Sequence, residues 1–157
     1  MRYFLDTEFI EDGRTIDLIS IGIVAEDGRE LYAESSECNL ERASPWVKEN
    51  VLPHLRGKAD CRAAICAALL EFIGNDKPEF WADYASYDWV ALCQLFGTMM
   101  DLPEDWPMFC MDVQQLRWTQ RSPCKKVPVP ESARPHDALA DAWECKWKYD
   151  WLWEHRD

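Results

Sequence analysis

Three apolar runs open the chain, and a turn signal follows each of the first two. The runs cover residues 3–10, 16–25 and 31–34, and the turns are Asp12-Gly13 and Glu26-Asp27-Gly28. Runs rich in β-branched and aromatic residues that are separated by Asp-Gly pairs are typical of β-hairpins. The pattern predicts an antiparallel meander of three strands at the start of the chain.

Helical and strand patterns alternate in the rest of the chain. Ser44 followed by Pro45 is a good N-cap with proline in the first turn, and Pro53 ends that predicted helix. A meander followed by alternating strands and helices indicates an α/β fold, with a mixed sheet flanked by helices in a single domain of residues 1–157. The further predicted elements are helices over residues 62–73, 87–96, 113–118 and 136 to about 153, and strands over 79–82 and 108–111.

The composition is that of a packed globular protein, with 48% hydrophobic and 13% aromatic residues. No apolar run approaches the roughly 20 residues that span a membrane, and Asp6 and Glu8 interrupt any N-terminal signal sequence. The seven cysteines are scattered and never spaced Cys-x-x-Cys, a usage typical of reduced thiols. We therefore expect a cytoplasmic protein that does not enter a membrane.

The net charge of −12 argues against a protein that coats long stretches of nucleic acid, because phosphate neutralisation provides most of that affinity. An acidic protein can still bind the end of a strand if cations bridge its carboxylates to phosphate. Acidity also simply keeps many protein surfaces soluble. Charge alone therefore leaves the function open.

Three groups of polar residues carry the candidate chemistry. Asp6 and Glu8 lie two apart on the first predicted strand, so both side chains point to one face. Burying them without cations or protons would cost several kcal/mol each. Asp88 lies at the start of a predicted helix, and His136 and Asp141 lie about one and a half turns apart at the start of the last one. Each group alone has an ordinary explanation: an exposed strand face, an aspartate favoured by the helix dipole, or an acidic first turn.

Taken in order, Asp-x-Glu on the first strand, the mid-chain Asp88 and His-x4-Asp on the last helix resemble the DEDDh 3′–5′ exonuclease superfamily, which has an RNase H-like fold. The resemblance covers nearly the whole chain and implies a metal-dependent 3′–5′ exoribonuclease that releases nucleoside 5′-monophosphates. The first thirty residues are most similar to the small mycobacterial-type 3′–5′ exoribonucleases, through Arg2-Tyr3-Phe4, Asp6-Thr7-Glu8-Phe9-Ile10-Glu11-Asp12-Gly13 and Leu18-Ile19-Ser20-Ile21-Gly22.

The resemblance also implies a role for each motif residue. Four carboxylates, those of Asp6, Glu8, Asp88 and Asp141, would hold two Mg²⁺ or Mn²⁺ ions, and oxygen ligands suit these cations. Asp6, Glu8 and Asp141 would hold one ion, and Asp6 the second, which Asp88 would reach through water. His136 would act as the general base that takes a proton from the attacking water.

Contacts to the terminal nucleotide are expected next to the first motif. In the resembling superfamily the residues after Asp-x-Glu touch this nucleotide, and here they are Phe9 and Ile10. A place in the strand core is an equal alternative for both. Thr7 and Glu8 could meet the terminal ribose, where a 2′-hydroxyl distinguishes RNA from DNA. The expected partner is therefore single-stranded RNA or an RNA 3′ overhang.

A cluster of cations in and beside a proline-rich loop, residues 119–135, is the second candidate contact. The cluster lies directly before His136, where an incoming strand would pass, although a solvated loop with chance charges would have the same composition. The cations are Arg117, Arg121, Lys125, Lys126 and Arg134.

Asp137 and Asp112 lie outside the motifs. Asp137 is expected to support its neighbours or to face solvent. Asp112 is expected to support the site, to cap a helix, or to have no special role.

Tryptophans recur every four residues on the last predicted helix, at Trp143, Trp147 and Trp151. Such a stripe is more often core than a ligand platform. We expect Trp143 in the core, and Trp151 and Trp153 at an interface, because the resembling exoribonucleases imply a homodimer.

Three alternatives remain open on the sequence. A DNA-directed exonuclease would have the same motifs. A non-catalytic module that binds RNA ends or nucleotides would keep the fold, although all five motif residues are present here. An acidic cation-binding protein without an active site is the third alternative, but the chain contains no EF-hand pattern.

Overall fold

A six-stranded mixed sheet forms the centre of the computed structural model, which describes residues 1–120, 127–130 and 134–156. The spatial order of the strands is β4-β3-β2-β1-β5-β6. The first three strands form an antiparallel meander, whereas β4, β5 and β6 each join the sheet in parallel pairs. The strands are β1 (Arg2–Glu11), β2 (Ile16–Ala25), β3 (Glu30–Ser35), β4 (Ala59–Asp60), β5 (Glu79–Ala82) and β6 (Met111–Asp112).

Five α-helices of the described residues flank the sheet, and local residues explain where they begin and end. The Ser44 side chain accepts a hydrogen bond from the Val47 backbone N–H and so caps the first helix. Gly74, with a φ of 63°, ends the second, because this left-handed region favours glycine. The helices are α1 (Pro45–Asn50), α2 (Arg62–Ile73), α3 (Ser86–Phe96), α4 (Val113–Trp118) and α5 (Ala138–Glu154).

The two faces of β1 pack against different helices. Tyr3 and Leu5 belong to a core with residues of α2 and α3. Phe4 instead packs in a cluster with Tyr149 and Leu152 of α5. Since side chains alternate along a strand, the even-numbered positions of β1 from Phe4 to Glu8 lie under α5, and the pairing with β2 becomes irregular after Glu8. Asp6 and Glu8 therefore lie on the α5 face.

The predicted meander, the five predicted helices and the mixed sheet are confirmed, with the bounds of β2, α2, β5 and α4 as expected. The strand predicted over residues 108–111 is wrong, because β6 covers only Met111–Asp112. β4 was not predicted, since two exposed residues carry no apolar pattern. No helix in the described part of the chain has the length and apolar character needed to cross a membrane.

The expectation that Trp143 lies in the core is also wrong. Its side chain is 38% exposed, and the indole N–H donates to Glu30 Oε1 at 2.6 Å. The buried face of α5 is instead formed by Ala138, Ala142, Cys145, Tyr149 and Leu152. Small and aromatic residues on this face bring the helix close to the sheet at its start and fill the space near its end.

Candidate active site

The candidate site lies where β1 and β5 separate. The two strands are paired only from Arg2 with Glu79 to Phe4 with Trp81. Beyond that point the Thr7 backbone N–H donates to Asp88 Oδ1 at 2.9 Å, and the Thr7 hydroxyl donates to the same oxygen at 2.6 Å. The Asp88 carboxylate on α3 thus takes the place of a strand neighbour, and the cleft opens between the two strands.

Gly22 brings the start of α5 to the carboxylates of β1. It lies opposite Asp6 in the β1–β2 pair, so its missing side chain leaves space on the α5 face. A Cβ placed there would overlap the Ala138 carbonyl and the Leu139 backbone nitrogen. Only glycine allows this approach, and the approach places Asp141 over the β1 motif.

His136 and Asp141 are joined through the backbone. The His136 N–H donates to Asp141 Oδ2 at 3.0 Å, and His136 has a left-handed φ of 64°. One ligand atom from each of Glu8, His136 and Asp141 lies within 4.8 Å of the other two, so these three could hold a metal ion. Non-glycine residues with such φ values are uncommon and often lie at functional sites.

Burial raises the pKa values of all four motif carboxylates, and repulsion from neighbouring carboxylates adds to it. Withdrawal from water is the largest cause for each. The pKa of Glu8 rises to about 8, with the charges of Asp141 and Asp88 adding to the burial. The pKa of Asp88 rises to about 6, although both hydrogen bonds from Thr7 oppose the change. The pKa of Asp6 is raised well above its usual range by burial and then by Asp88 and Glu8. Such a cluster calls for protons or cations.

The five motif residues line one cleft of about 280 Å³. The predicted contacts Thr7, Glu8 and Phe9 also line it, whereas sequence reasoning missed Asp83, Tyr84 and Tyr87. Phe9 stacks on Tyr87 with ring centroids 5.6 Å apart, and Trp46 of α1 meets the His136 ring edge to face at 4.8 Å. The lining residues are Asp6, Thr7, Glu8, Phe9, Asp83, Tyr84, Tyr87, Asp88, His136 and Asp141.

The other predicted contact residues are spread over the molecule. Ile10 is 5% exposed and packs with Ile19, Ala43 and Val51. Arg117 belongs to α4 and does not line the cleft. The Arg134 guanidinium is 65% exposed and lies 4.0 Å from Asp137 Oδ2. The predicted contacts Arg121, Lys125 and Lys126 lie outside the described residues.

Asp137 and Asp112 have definite structural positions. Asp137 is buried and caps α5, accepting hydrogen bonds from the backbone N–H groups of Leu139 and Ala140. Its other oxygen lies 3.6 Å from Arg56 Nη2. Asp112 accepts from the backbone N–H groups of Gln114 and Ala85. It therefore caps α4 and also fixes the chain between β5 and α3.

A family model described as the 3′–5′ exoribonuclease Rv2179c-like domain matches residues 1–153. The chain belongs to this family. Two curated relatives, 3′–5′ exoribonuclease Rv2179c and 3′–5′ exoribonuclease MT2234.1 from two strains of Mycobacterium tuberculosis, are each 52% identical over 149 residues. These matches cover 90% of this chain and 87% of each relative. The resemblance to mycobacterial-type exoribonucleases is confirmed.

Solved structures of exonuclease I share the fold. One matches 99% of this chain with a TM-score of 0.69 and 14% identity. A second, E. coli exonuclease I in complex with a dT13 oligonucleotide, matches with a TM-score of 0.67 and 12% identity. The chain spans 41% of the length of each of these two proteins. At this identity the likeness shows the RNase H-like fold alone.

Proposed function

We propose that this protein removes nucleoside 5′-monophosphates from the 3′ ends of RNA with the help of Mg²⁺ or Mn²⁺. The observation that carries the proposal is that the five motif residues line a single cleft. Membership of a family of 3′–5′ exoribonucleases supports the reaction and favours RNA over DNA. The proposed partner is single-stranded RNA or an RNA 3′ overhang.

The donor set of the cleft fits hard divalent cations. It offers the four motif carboxylates and that of Asp83, with no thiolate, and among the described residues no hydrogen bond reaches the Asp6 or Glu8 carboxylate. Asp6, Glu8 and Asp141 would hold one ion, and Asp6 with the more distant Asp88 a second. When bound, these ions would polarise the scissile phosphate and offset the negative charge on the leaving 3′ oxygen.

The chain's own residues provide the remaining chemistry. His136 accepts the proton of the attacking water as general base. Its backbone is fixed by the bond to Asp141 and its ring by the edge of Trp46. The Phe9 and Tyr87 rings offer an apolar surface on which the terminal base can stack. Because the Thr7 hydroxyl donates to Asp88, Glu8 is the better candidate for reading the ribose 2′-hydroxyl.

A degradation assay on 5′-labelled RNA and DNA of one sequence tests the proposal. With Mg²⁺ or Mn²⁺ we expect a ladder that shortens RNA one nucleotide at a time from the 3′ end, with mononucleotides as the product. EDTA and the variant Asp141→Asn should each abolish the ladder. Internal fragments, or no cleavage with either metal, would contradict the proposal, and faster cleavage of DNA would favour the exodeoxyribonuclease alternative.

We further propose that the protein is a cytoplasmic homodimer. Trp153 is 42% exposed at the end of α5, which suits an interface, and the six described cysteines are all free thiols. Light scattering coupled to size-exclusion chromatography should give twice the chain mass. The variant Trp153→Glu should shift the protein towards the monomer, and a monomeric parent protein would contradict the dimer.

A further inference from the structure

A second cavity of about 270 Å³ adjoins the catalytic cleft. The two share Asp83 and Tyr84, which follow β5 and form the boundary between them. The cavity lies between α4 and α5. Its walls combine apolar side chains, such as Val113 and Leu152, with the polar groups of a few residues from both helices.

Two carboxylates and two cations line this cavity, but both carboxylates pair with Lys148 and neither with Arg117. Lys148 bridges two carboxylates, pairing with Asp83 and, at 2.7 Å, with Glu144. Arg117 forms an ion pair with no described residue. Its Nη1 lies 3.5 Å from Gln114 Oε1, and its Nε is buried without an acceptor. A guanidinium stays charged at any physiological pH, and an unmet buried donor is costly. The Arg117 guanidinium is therefore available to an anionic ligand.

Tyr84 is held in an unusual conformation at the boundary of the two cavities. Its φ is 61° and its side chain is 71% exposed. The preceding Asp83 is held by Lys148 and by Gln114 Nε2 at 2.7 Å. The following Ala85 N–H donates to Asp112 Oδ2 at 3.0 Å. Bonds on both sides thus maintain a backbone strain that an exposed loop would otherwise release, and they present the phenol ring to both cavities.

We infer that this cavity is the subsite for the second nucleotide from the 3′ end of the substrate, an inference that rests on the proposed function. Arg117 binds the phosphate that links this nucleotide to the upstream strand, and Tyr84 stacks on its base. The shared boundary lets consecutive nucleotides of one strand occupy the cleft and the cavity. Stacking and phosphate contacts are independent of base identity, so the subsite accepts any sequence.

A cycle of protein and substrate changes tests the phosphate contact. One RNA carries a single neutral methylphosphonate at the linkage next upstream of the scissile one, and a matched RNA carries it four linkages further upstream. For unmodified RNA we expect Arg117→Gln to lower kcat/KM by roughly tenfold to a hundredfold, as for loss of a charge-assisted hydrogen bond. The near methylphosphonate should lower kcat/KM of the parent protein by a similar factor. It should leave kcat/KM of Arg117→Gln almost unchanged.

The controls separate this contact from general charge effects. Lys77 is an exposed lysine at the opposite end of β5, so Lys77→Gln removes the same charge and should respond to both modified RNAs as the parent does. If the losses from Arg117→Gln and from the near methylphosphonate multiply, the two groups do not touch and the phosphate assignment is wrong. If Arg117→Gln fails to fold, Arg117→Met, which also removes the charge but keeps the length of the aliphatic chain, takes its place in the same cycle.

Tyr84 has its own test. Tyr84→Ala should lower kcat/KM roughly fivefold to a hundredfold, the range for loss of one base stack, whereas Tyr84→Phe should not. An RNA that is abasic at the second nucleotide should erase the difference between Tyr84→Ala and the parent, and a persisting difference would overturn the stacking assignment. Failure of the parent protein to shorten unmodified RNA would instead contradict the proposed function, so the two failures are distinguishable.

Discussion

Gly22 and Ala138 touch backbone to backbone: a Cβ on the glycine would lie well inside the 3.0 Å that real Cβ atoms keep from the Ala138 carbonyl. We expect Gly22→Ala to push the start of α5 away from β2. Such overpacking costs about 1–3 kcal/mol. The loss of activity should exceed the loss of stability, because His136 and Asp141 move away from Asp6. Thermal melts and kcat measured on the same samples check this.

Gly28→Ala is the matched control for that substitution. Gly28, unlike Gly22, has a positive φ, 89°, but a Cβ there would meet nothing within 4 Å. Backbone strain should lower the stability of this variant by about 1–2 kcal/mol while kcat stays unchanged. Equal losses of kcat in the two variants would show that stability alone, and not the position of α5, limits activity.

Thr7→Val should impair the site without removing a ligand. The change keeps the shape of the side chain but deletes the hydroxyl that donates to Asp88 at 2.6 Å. We expect a loss of about 1–3 kcal/mol in the free energy of unfolding and weaker Mn²⁺ binding in a calorimetric titration. Thr7→Ser, which keeps the hydroxyl, should restore both. Full activity in Thr7→Val would show that the backbone N–H of Thr7 is sufficient to hold Asp88.

Without metal, the protein should lose stability as the pH rises from about 5 to 8. The pKa of Glu8 is about 8 in the folded protein against 4.5 for a free side chain, and that of Asp88 is about 6 against 3.8. A carboxylate with a raised folded pKa binds more protons in the folded state, so its contribution is lost as the pH passes through the folded value. Each tenfold difference in proton affinity between the folded and unfolded protein corresponds to about 1.4 kcal/mol.

Melting curves in EDTA between pH 5 and pH 8 measure this loss. Added Mg²⁺ or Mn²⁺ should raise the melting temperature most at the upper end, where the carboxylates are ionised. Glu8→Gln should flatten the pH dependence. Exposed carboxylates with lowered pKa values, such as Asp12 and Asp27, already make their full stabilising contribution above about pH 4. That contribution therefore does not change between pH 5 and pH 8. A melting temperature that rises from pH 5 to pH 8 would contradict the assignment.

His136→Asn should lower kcat by roughly a hundredfold to ten-thousandfold, the contribution of a general base. Asparagine tolerates the left-handed backbone of this position, and the N–H that donates to Asp141 is retained. A base that is not a ligand leaves Mn²⁺ affinity nearly intact. If calorimetry shows lost affinity, His136 instead shares the metal with Glu8 and Asp141, as the distances between their ligand atoms permit.

The sequence predicted elements well where turn residues bound them. The β2 strand and the α2 helix have the expected limits because Asp-Gly and Gly-Asn pairs flank them. The short β6 strand was misplaced, because Met108 and Phe109 are apolar residues that are 47% and 60% exposed. The prediction that Trp143 lies in the core was wrong for another reason. The spacing of the tryptophans identifies one face of the helix but does not tell whether that face packs against the sheet.

The five motif residues could be picked out in the sequence because each motif has a fixed spacing, and the structure brings all five to one cleft. The surroundings were not readable in the same way. Asp83 and Tyr87 line the cleft from the end of β5 and the start of α3, and Trp46 contacts His136 from α1. No local pattern of spacing identifies these residues as part of the site. The burial of Asp137 likewise depends on tertiary packing around the start of α5.

The edge-to-face contact between Trp46 and His136 gives the protein an internal spectroscopic probe. The imidazole lies 4.8 Å from the indole with the ring planes at 76°, inside the magnetic field of the indole ring current. The proton resonances of His136 should therefore be displaced from those of His54, and Trp46→Leu should return them to the ordinary region. Those of His155, whose ring stacks on Trp151, should not respond to that substitution. Nuclear magnetic resonance can then follow the proposed base alone during a titration with metal or nucleotide.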